Sequence, residues 1–310
     1  MPSDARPDGA DKSNDQLLIS VVVPTRDRPL ALHRCLDALA AQTVADRLEV
    51  IVVDDGSLAE DEVAGIVASH RLARLIRRRS GGPAPARNAG ALEAAGAFLC
   101  FTDDDCEPQP DWAEYLVKRL QRGADAAAGT TLSCGGVLAA ASEITAHAPA
   151  AAQPPAGSDL PFAPSNNLAC TKGAFEATPF DESYPDAAAE DREWCARLTD
   201  AGYILHAEPK ARIIHHQELT FGRFLRQQAR YGRGAFRFRR IGGRRPLESA
   251  GFYKALLRRA FADSVSLGVL VCVAQAATAA GFVQAWALER GNRSGLTSSM
   301  HARPSRRDGS

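Results

Sequence analysis

Three consecutive carboxylates, Asp103, Asp104 and Asp105, close the apolar run FLCFT. Crowded at a strand end they would repel one another by roughly a few kcal/mol in a low dielectric unless a cation neutralises them. Hard oxygen donors point to Mg or Mn, which bridge protein carboxylates to substrate phosphates. A solvated acidic turn before Pro108 is the alternative that the triplet alone leaves open. The segment GGPAPARNAG offers glycines for close backbone approach and then Arg87 and Asn88 inside a helix, a placement suited to a nucleotide or its phosphates. Further on, SNNLACTKGAF carries Asn166 and Asn167, and EDREWCARL opens a helix with Glu190 and Asp191. Acids in a first helical turn are often only dipole partners.

Such groups act together only if the fold brings them to one place. Residues 17–23 (LLISVVV) and 48–53 (LEVIVV) are continuous apolar runs of the kind that form strands buried on both faces. Between and after them the spacing predicts helices over 30–41, 60–70 and 86–95, and strands over 72–76 and 98–102. This alternation predicts an α/β fold with a doubly wound, mostly parallel sheet flanked by helices. Ligands of such sheets lie beyond the carboxyl ends of the strands, which here carry Thr25, Arg26 and Asp27, then Asp54 and Asp55, then the Asp triplet. No GxGxxG follows the first strand and no GxxxxGK[ST] occurs, so dehydrogenases and P-loop enzymes lack their phosphate cradle.

The ordered set VVVPTRDR, VVDDGS, GPAPARNAG, FTDDD, NNLACTKGAF, FDESY, EDREWCARL and a strand ending in HH resembles glycosyltransferase family 2 of the GT-A fold, over about residues 20–234. The resemblance implies inverting transfer of a sugar from a nucleoside diphosphate sugar to a hydroxyl, assisted by Mn or Mg. It implies that Asp55, Thr25, Asp27, Arg87, Asn88, Asp103 and Asp104 line the donor site. Asp105, with Asp103 and His215, would hold the metal, although His216 adjoins His215 and the sequence does not choose between them. Asp191 would be the general base, with Asn166, Asn167, Glu190 and His216 on the acceptor and diphosphate side. The QxxRW of processive synthases is altered to Gln227, Arg230 and Tyr231, which favours transfer of a single sugar.

The chain has 310 residues, with 37 basic and 37 acidic side chains, so binding to nucleic acid by global charge is not expected. Seven scattered cysteines without CxxC spacing fit a reducing, cytosolic setting. The expected organisation is a disordered tail at 1–16, with no export signal, then a GT-A domain over 17–220 and a disordered tail at 291–310. Within the domain, 17–146 is the nucleotide-binding half, 147–164 a Pro-rich surface loop and 165–220 the catalytic half. The intervening extension, 221–290, is basic and then uncharged. Nine Arg fall within 223–245, where Arg223, Arg226, Arg230, Arg233 and Arg237 share one helical face. Gly222, Gly232 and Gly234 would weaken that helix by ~1 kcal/mol each and could divide it. Residues 264–288 carry no charge and would span ~37 Å as helix, enough to cross a bilayer, lie on one or pack on the protein itself. The expected partners are a UDP-sugar, a hydroxyl acceptor that a lipid could carry, and an anionic membrane at its inner face. The rivals are a sugar nucleotidyltransferase, for which VVVPTRDRP is not the required Gly-rich loop, and a binding or scaffold protein with a degenerate site.

Overall fold

The computed structural model describes residues 18–147, 155–184, 188–241 and 248–301. The amino-terminal tail and residues 302–310 of the expected carboxyl-terminal tail lie outside them. In chain order the elements are β1 (Ile19–Thr25), α1 (Pro29–Ala40), β2 (Leu48–Asp54), α2 (Glu60–Ala68), β3 (Ala73–Arg77), α3 (Pro83–Leu92), β4 (Phe98–Phe101), β5 (Cys106–Pro108), α4 (Trp112–Gln121) and β6 (Ala126–Cys134). There follow α5 (Gly136–His147), β7 (Leu168–Thr171), α6 (Lys172–Ala177), α7 (Glu190–Asp200), β8 (Leu205–His216), α8 (Phe221–Ile241), α9 (Ala250–Asp263) and α10 (Val265–His301). These form two compact units. One takes Met1–Ser133, Pro149–Pro185 and Trp194–His216, the other Cys134–Ala148, Asp186–Glu193 and Gln217–Ser310.

The first unit is built on an eight-stranded sheet of order β3-β2-β1-β4-β7-β6-β8-β5. The expected parallel pairing holds for β1 with β2, β1 with β4 and β2 with β3. Beyond β4 the sheet turns antiparallel, at β4 with β7, β6 with β7 and β5 with β8. Strand alternation explains the two cores. Ile19, Val21, Val23, Val50 and Val52 face α1, α2 and α4, where Leu36, Val63 and Leu116 meet them. Val22, Ile51, Val53, Leu99 and Phe101 face the other way, onto Ala86, Ala91, Phe175 and Trp194.

Two boundaries differ from expectation for local reasons. α3 starts at Pro83 rather than residue 86, because proline in the first turn presets helical φ and Gly82, at φ 95°, supplies the turn before it. The described part of the Pro-rich segment is not a free surface loop. It runs along the start of β8, with Leu160 N donating to Leu205 O at 2.9 Å, and it buries Leu160, Phe162 and Ala163. Residues 148–154 lie outside the described residues.

In the second unit, Ala141 of α5, Phe224 of α8, Leu256 and Ala260 of α9, and Leu267, Val271 and Ala274 of α10 make a core of their own. α8 is unbroken despite its glycines, because tertiary packing requires two of them. A Cβ at Gly232 would lie 1.9 Å from the Thr278 carbonyl oxygen of α10, and one at Gly234 would lie 2.5 Å from the Ala188 carbonyl oxygen. The arginines expected to share one helical face differ in exposure. Arg223 and Arg226 are exposed, whereas Arg230, Arg233 and Arg237 are half-buried. Arg233 donates to Gln284 Oε1 at 3.4 Å, and Arg240 pairs with Glu289. α10 continues to His301, into the stretch expected as tail.

Candidate active site

The parallel register sets Thr25 beside Asp54 and Val22 beside Phe101, so the ends of β1, β2 and β4 open on one edge. The antiparallel pairing of β5 with β8 sets Cys106 beside His215 and returns the end of β8 to the Asp triplet. The result is a charged knot. Thr25 Oγ1 donates to Asp104 Oδ2 at 2.8 Å, and Arg28 Nη1 donates to Asp104 Oδ1 at 3.1 Å and to Asp105 Oδ2 at 2.8 Å. On its other side Asp105 Oδ1 lies 3.3 Å from His215 Nε2. The adjacent His216 points elsewhere, as alternation requires, and its Nε2 lies 2.8 Å from Glu107 Oε2. The pair that the sequence left open is thus separated: His215, not His216, joins the acidic cluster.

Burial decides how the carboxylates share charge. Asp104 is pushed up to about 7 by loss of water, against the pull of Arg28 and with Asp105 and Asp103 adding repulsion. Burial would also lift Asp105, but the bond to His215 and the charges of His215 and Arg28 hold it below the usual carboxylate range. Arg28 is desolvated too, yet the same acids keep its guanidinium firmly charged. Sequence reasoning assigned Arg28 no role; the available signal was a cation directly after a strand whose neighbours end in acids.

The other predicted residues divide into those that join this edge and those that do not. Asp103 accepts from Arg87 Nη2 at 2.7 Å, and Arg87 lies over the Phe180 ring, 5.8 Å from its centroid. Asp55 accepts from Gly81 N at 3.0 Å, Gly82 N at 2.8 Å and Arg78 Nη1 at 3.2 Å, so it anchors the glycine loop. Asp27, at φ 55°, accepts from Leu58 N at 2.7 Å and ties β1's exit to β2's. Asn88, expected to line the donor site, forms a clasp within the first unit. Its Nδ2 donates to Phe180 O and to Glu182 Oε1, both at 2.9 Å, and its Oδ1 accepts from Phe180 N at 3.0 Å. Asn167, expected on the acceptor side, is fully buried, accepting from Trp112 Nε1 at 2.8 Å and donating to Ala211 O at 3.3 Å. Neither set of bonds was legible in the sequence, because an amide that satisfies the protein's own groups looks the same as one that meets a ligand. Asn166 differs: it is buried, and its Oδ1 has no hydrogen-bond partner among the described residues.

Glu190 and Asp191 belong to the second unit. Glu190 is buried and Asp191 half-buried, and Asp191 Oδ1 accepts from Arg192 N at 2.8 Å. Ala189, at φ 72°, precedes them in a strained conformation for a residue with a side chain. In the same unit Tyr231 accepts from Gln227 Nε2 at 3.0 Å. Burial pushes its hydroxyl up to about 12, with the negative charges of Glu143 and Asp191 adding to the push and Arg230 opposing it.

Asp105, Cys106 and His215 present donor atoms within 4.8 Å of one another. Burial, then Asp105 and Asp103, drive the Cys106 thiol far upward, which sets it apart from the other two groups. What remains is a carboxylate and imidazole set, which fits a hard to borderline divalent cation such as Mn or Mg.

A mixed sheet with this acidic edge is the architecture of a GT-A transferase. The same fold is found in GalNAc-T7 solved with UDP, GalNAc and Mn2+ (TM-score 0.55, 19% identity, 71% of this chain and 48% of that one). It is also found in the mannosyltransferase PcManGT from Pyrobaculum calidifontis solved with GDP-Man and Mn2+ (TM-score 0.54, 18% identity, 97% and 85%). Residues 20–164 match the model of glycosyl transferase family 2. Among curated proteins, the glycosyltransferase AglE of Haloferax volcanii is 31% identical over 225 residues, 70% of this chain and 72% of the relative. The pre-mycofactocin glycosyltransferase of Mycobacterium tuberculosis is 29% identical over 226 residues, 70% of this chain but only 46% of that relative. The chain belongs to glycosyltransferase family 2 and is a glycosyltransferase.

Asp104 carries a testable cost. Its acid form persists to about pH 7 in the folded chain, against ~3.9 when unfolded. Below about pH 4 both states hold the proton and nothing is lost; from 4 to 7 the unfolded state alone ionises, so stability falls, and above 7 the loss is complete. Asp104→Asn keeps an acceptor for Thr25 without the charge. With chelator present, urea unfolding should show this variant neutral at pH 4 and more stable than the parent by on the order of 2 kcal/mol at pH 8. Equal stability at both pH values would refute the assignment.

Proposed function

We propose that this chain transfers a single sugar, with inversion, from a nucleoside diphosphate sugar to a hydroxyl acceptor in the synthesis of a polysaccharide, glycolipid or cell-envelope glycan. A UDP-sugar is taken as donor. The observation that carries the proposal is the charged knot of Thr25, Arg28, Asp104, Asp105 and His215 at the carboxyl edge of the sheet. The two solved neighbours, one holding UDP and the other GDP-Man and both holding Mn2+, support it. Asp105 and His215 are the donors suited to Mn or Mg, with Asp103 beside them. When bound there, such an ion stabilises charge on the departing diphosphate. Arg28 and Arg87 add fixed positive charge at the same edge. Asp191 accepts the acceptor hydroxyl's proton, a role for which its partial exposure suits it better than the buried Glu190.

Calorimetric titration of UDP with and without Mn2+, followed by an assay of UDP-sugar turnover, tests these roles. Asp105→Ala should lose the metal-dependent gain in UDP affinity and metal-dependent turnover. Asp191→Asn should keep UDP affinity within about twofold and lose ~10² to 10⁴ in kcat. Metal-dependent turnover in the first variant, or equal loss of affinity and rate in the second, would overturn the assignments. Nucleotide binding without any turnover would favour a binding protein instead.

We further propose that the second unit attaches to the inner face of an anionic membrane. Val265–Arg290 is long and apolar enough to span a bilayer, and only 28% of its most apolar stretch is buried. Val265 and Leu288 are 72% and 64% exposed, and Val269 and Val283 are also exposed. Lys254, Arg258 and Arg259 of α9 line one surface hollow, and Arg290 lies over the Trp286 ring at 4.2 Å. Apolar surface combined with basic groups is what headgroups recruit, at ~1 kcal/mol per Lys or Arg. Flotation with anionic vesicles should recover the chain at low salt and less of it at high salt. Replacing the exposed Val265, Val269, Val283 and Leu288 with glutamine should abolish recovery. A parent that fails to float at low salt, or a variant that floats equally, would remove the membrane from this account.

A further inference from the structure

A second cluster of metal-binding groups lies in the first unit, apart from the Asp triplet. His33 and Asp37 stand four residues apart on α1, one above the other on the same helical face. His70 follows the end of α2 and turns toward them. One Asp37 carboxylate is flanked by two imidazoles: Oδ2 lies 2.9 Å from His33 Nδ1 and Oδ1 lies 3.1 Å from His70 Nε2. The two rings meet edge to face with centroids 5.2 Å apart, and the donor atoms of all three side chains fall within 4.8 Å of one another.

Hydrogen bonding at His70 shows that this is more than a chance gathering. Its Nδ1 lies 2.8 Å from the Ile66 carbonyl oxygen. A carbonyl cannot donate, so Nδ1 carries the hydrogen, and in a neutral ring Nε2 then turns a bare lone pair toward the Asp37 carboxylate. Two lone pairs would face each other across 3.1 Å unless the ring takes up a second proton or a cation lies between them. An imidazole that donates one N–H to a backbone carbonyl and aims its other nitrogen at a carboxylate has the orientation of a metal-binding histidine. The His70 backbone is also fixed, its N donating to Val67 O at 3.0 Å and its O accepting from Ala73 N at 2.9 Å.

We infer that His33, Asp37 and His70 form a binding site for a divalent transition metal of the zinc class, joining α1 to the end of α2. Two imidazoles and one carboxylate favour Zn2+ over Mn2+ or Mg2+, which prefer all-oxygen sets. Ligand bonds of ~2.0–2.2 Å in tetrahedral geometry place neighbouring donor atoms about 3.3 Å apart, within a few tenths of an ångström of the 2.9 and 3.1 Å that separate Asp37 from the two imidazoles. His33 and Asp37 are about half exposed, which gives the ion an open path and leaves its fourth position to water. The site is not part of the transfer chemistry. It would clamp the helix that follows Arg28, the residue that holds Asp104 and Asp105.

The test uses the untagged full-length chain carrying Asp105→Ala and His215→Ala, so that the acidic cluster cannot compete. Stripped with chelator and titrated calorimetrically with Zn2+ at pH 7.5, it should bind one equivalent. His33→Ala or His70→Ala should weaken that binding at least ~10-fold, and Asp37→Asn should weaken it too. Co2+ should give a visible absorption band that the same variants lose. Should the doubly substituted background fail to fold, the parent chain saturated with Mn2+ is titrated with Zn2+ instead, with the same outcomes expected. Absence of zinc binding, or binding and cobalt absorption unchanged in both histidine variants, would overturn the inference and leave a surface ion pair between Asp37 and a protonated His70.

Discussion

Three adjacent carboxylates at the end of β4 are the constraint on which the rest of the catalytic unit depends. Like charges in a dry environment are tolerated only when each finds a compensating partner. Here the partners come from distant parts of the chain: Thr25 and Arg28 after β1, Arg87 in α3 and His215 at the end of β8. They are delivered by three places in the chain: the end of β1 and its exit, α3, and the end of β8. The order of strands is therefore also the order in which charge is balanced. A fold that placed β8 elsewhere would leave Asp105 without its histidine.

The glycine loop before α3 shows the same economy. Asp55 accepts from two consecutive backbone amides, at Gly81 and Gly82, and so fixes the loop from which α3 and Arg87 emerge. Asn88, one residue further, holds the Phe180–Glu182 segment and thereby the ring under Arg87. Positioning residues and charged residues alternate along a few turns of chain. A preorganised site needs both, because a guanidinium aimed at an acid is useful only if its own side chain cannot wander.

The second unit obeys a different rule. Its helices have a modest core, in which small residues let backbones approach closely at Gly232 and Gly234. That packing consumes much of the arginine face that periodicity alone would assign to solvent. It leaves the apolar surface of α10 largely uncovered.

Local pattern alone determined a good deal. The runs at 17–23 and 48–53, and the helices between them, follow from hydrophobic period and needed no knowledge of contacts. The alternation of strand and helix is enough to place Thr25, Asp55 and Asp103–Asp105 on one edge. What only the tertiary structure decided is which polar groups are free to serve a ligand. Asn88 and Asn167 bond to groups 92 and 55 residues away in sequence, the Phe180 backbone and the Trp112 indole. Arg28 becomes part of the site through acids 76 and 77 residues distant, and His215 is told from His216 only by the side of β8 that each occupies. Periodicity is a property of neighbouring residues and survives in the sequence. Hydrogen-bond saturation and burial are properties of the assembled sheet, and they exist only once distant segments have met.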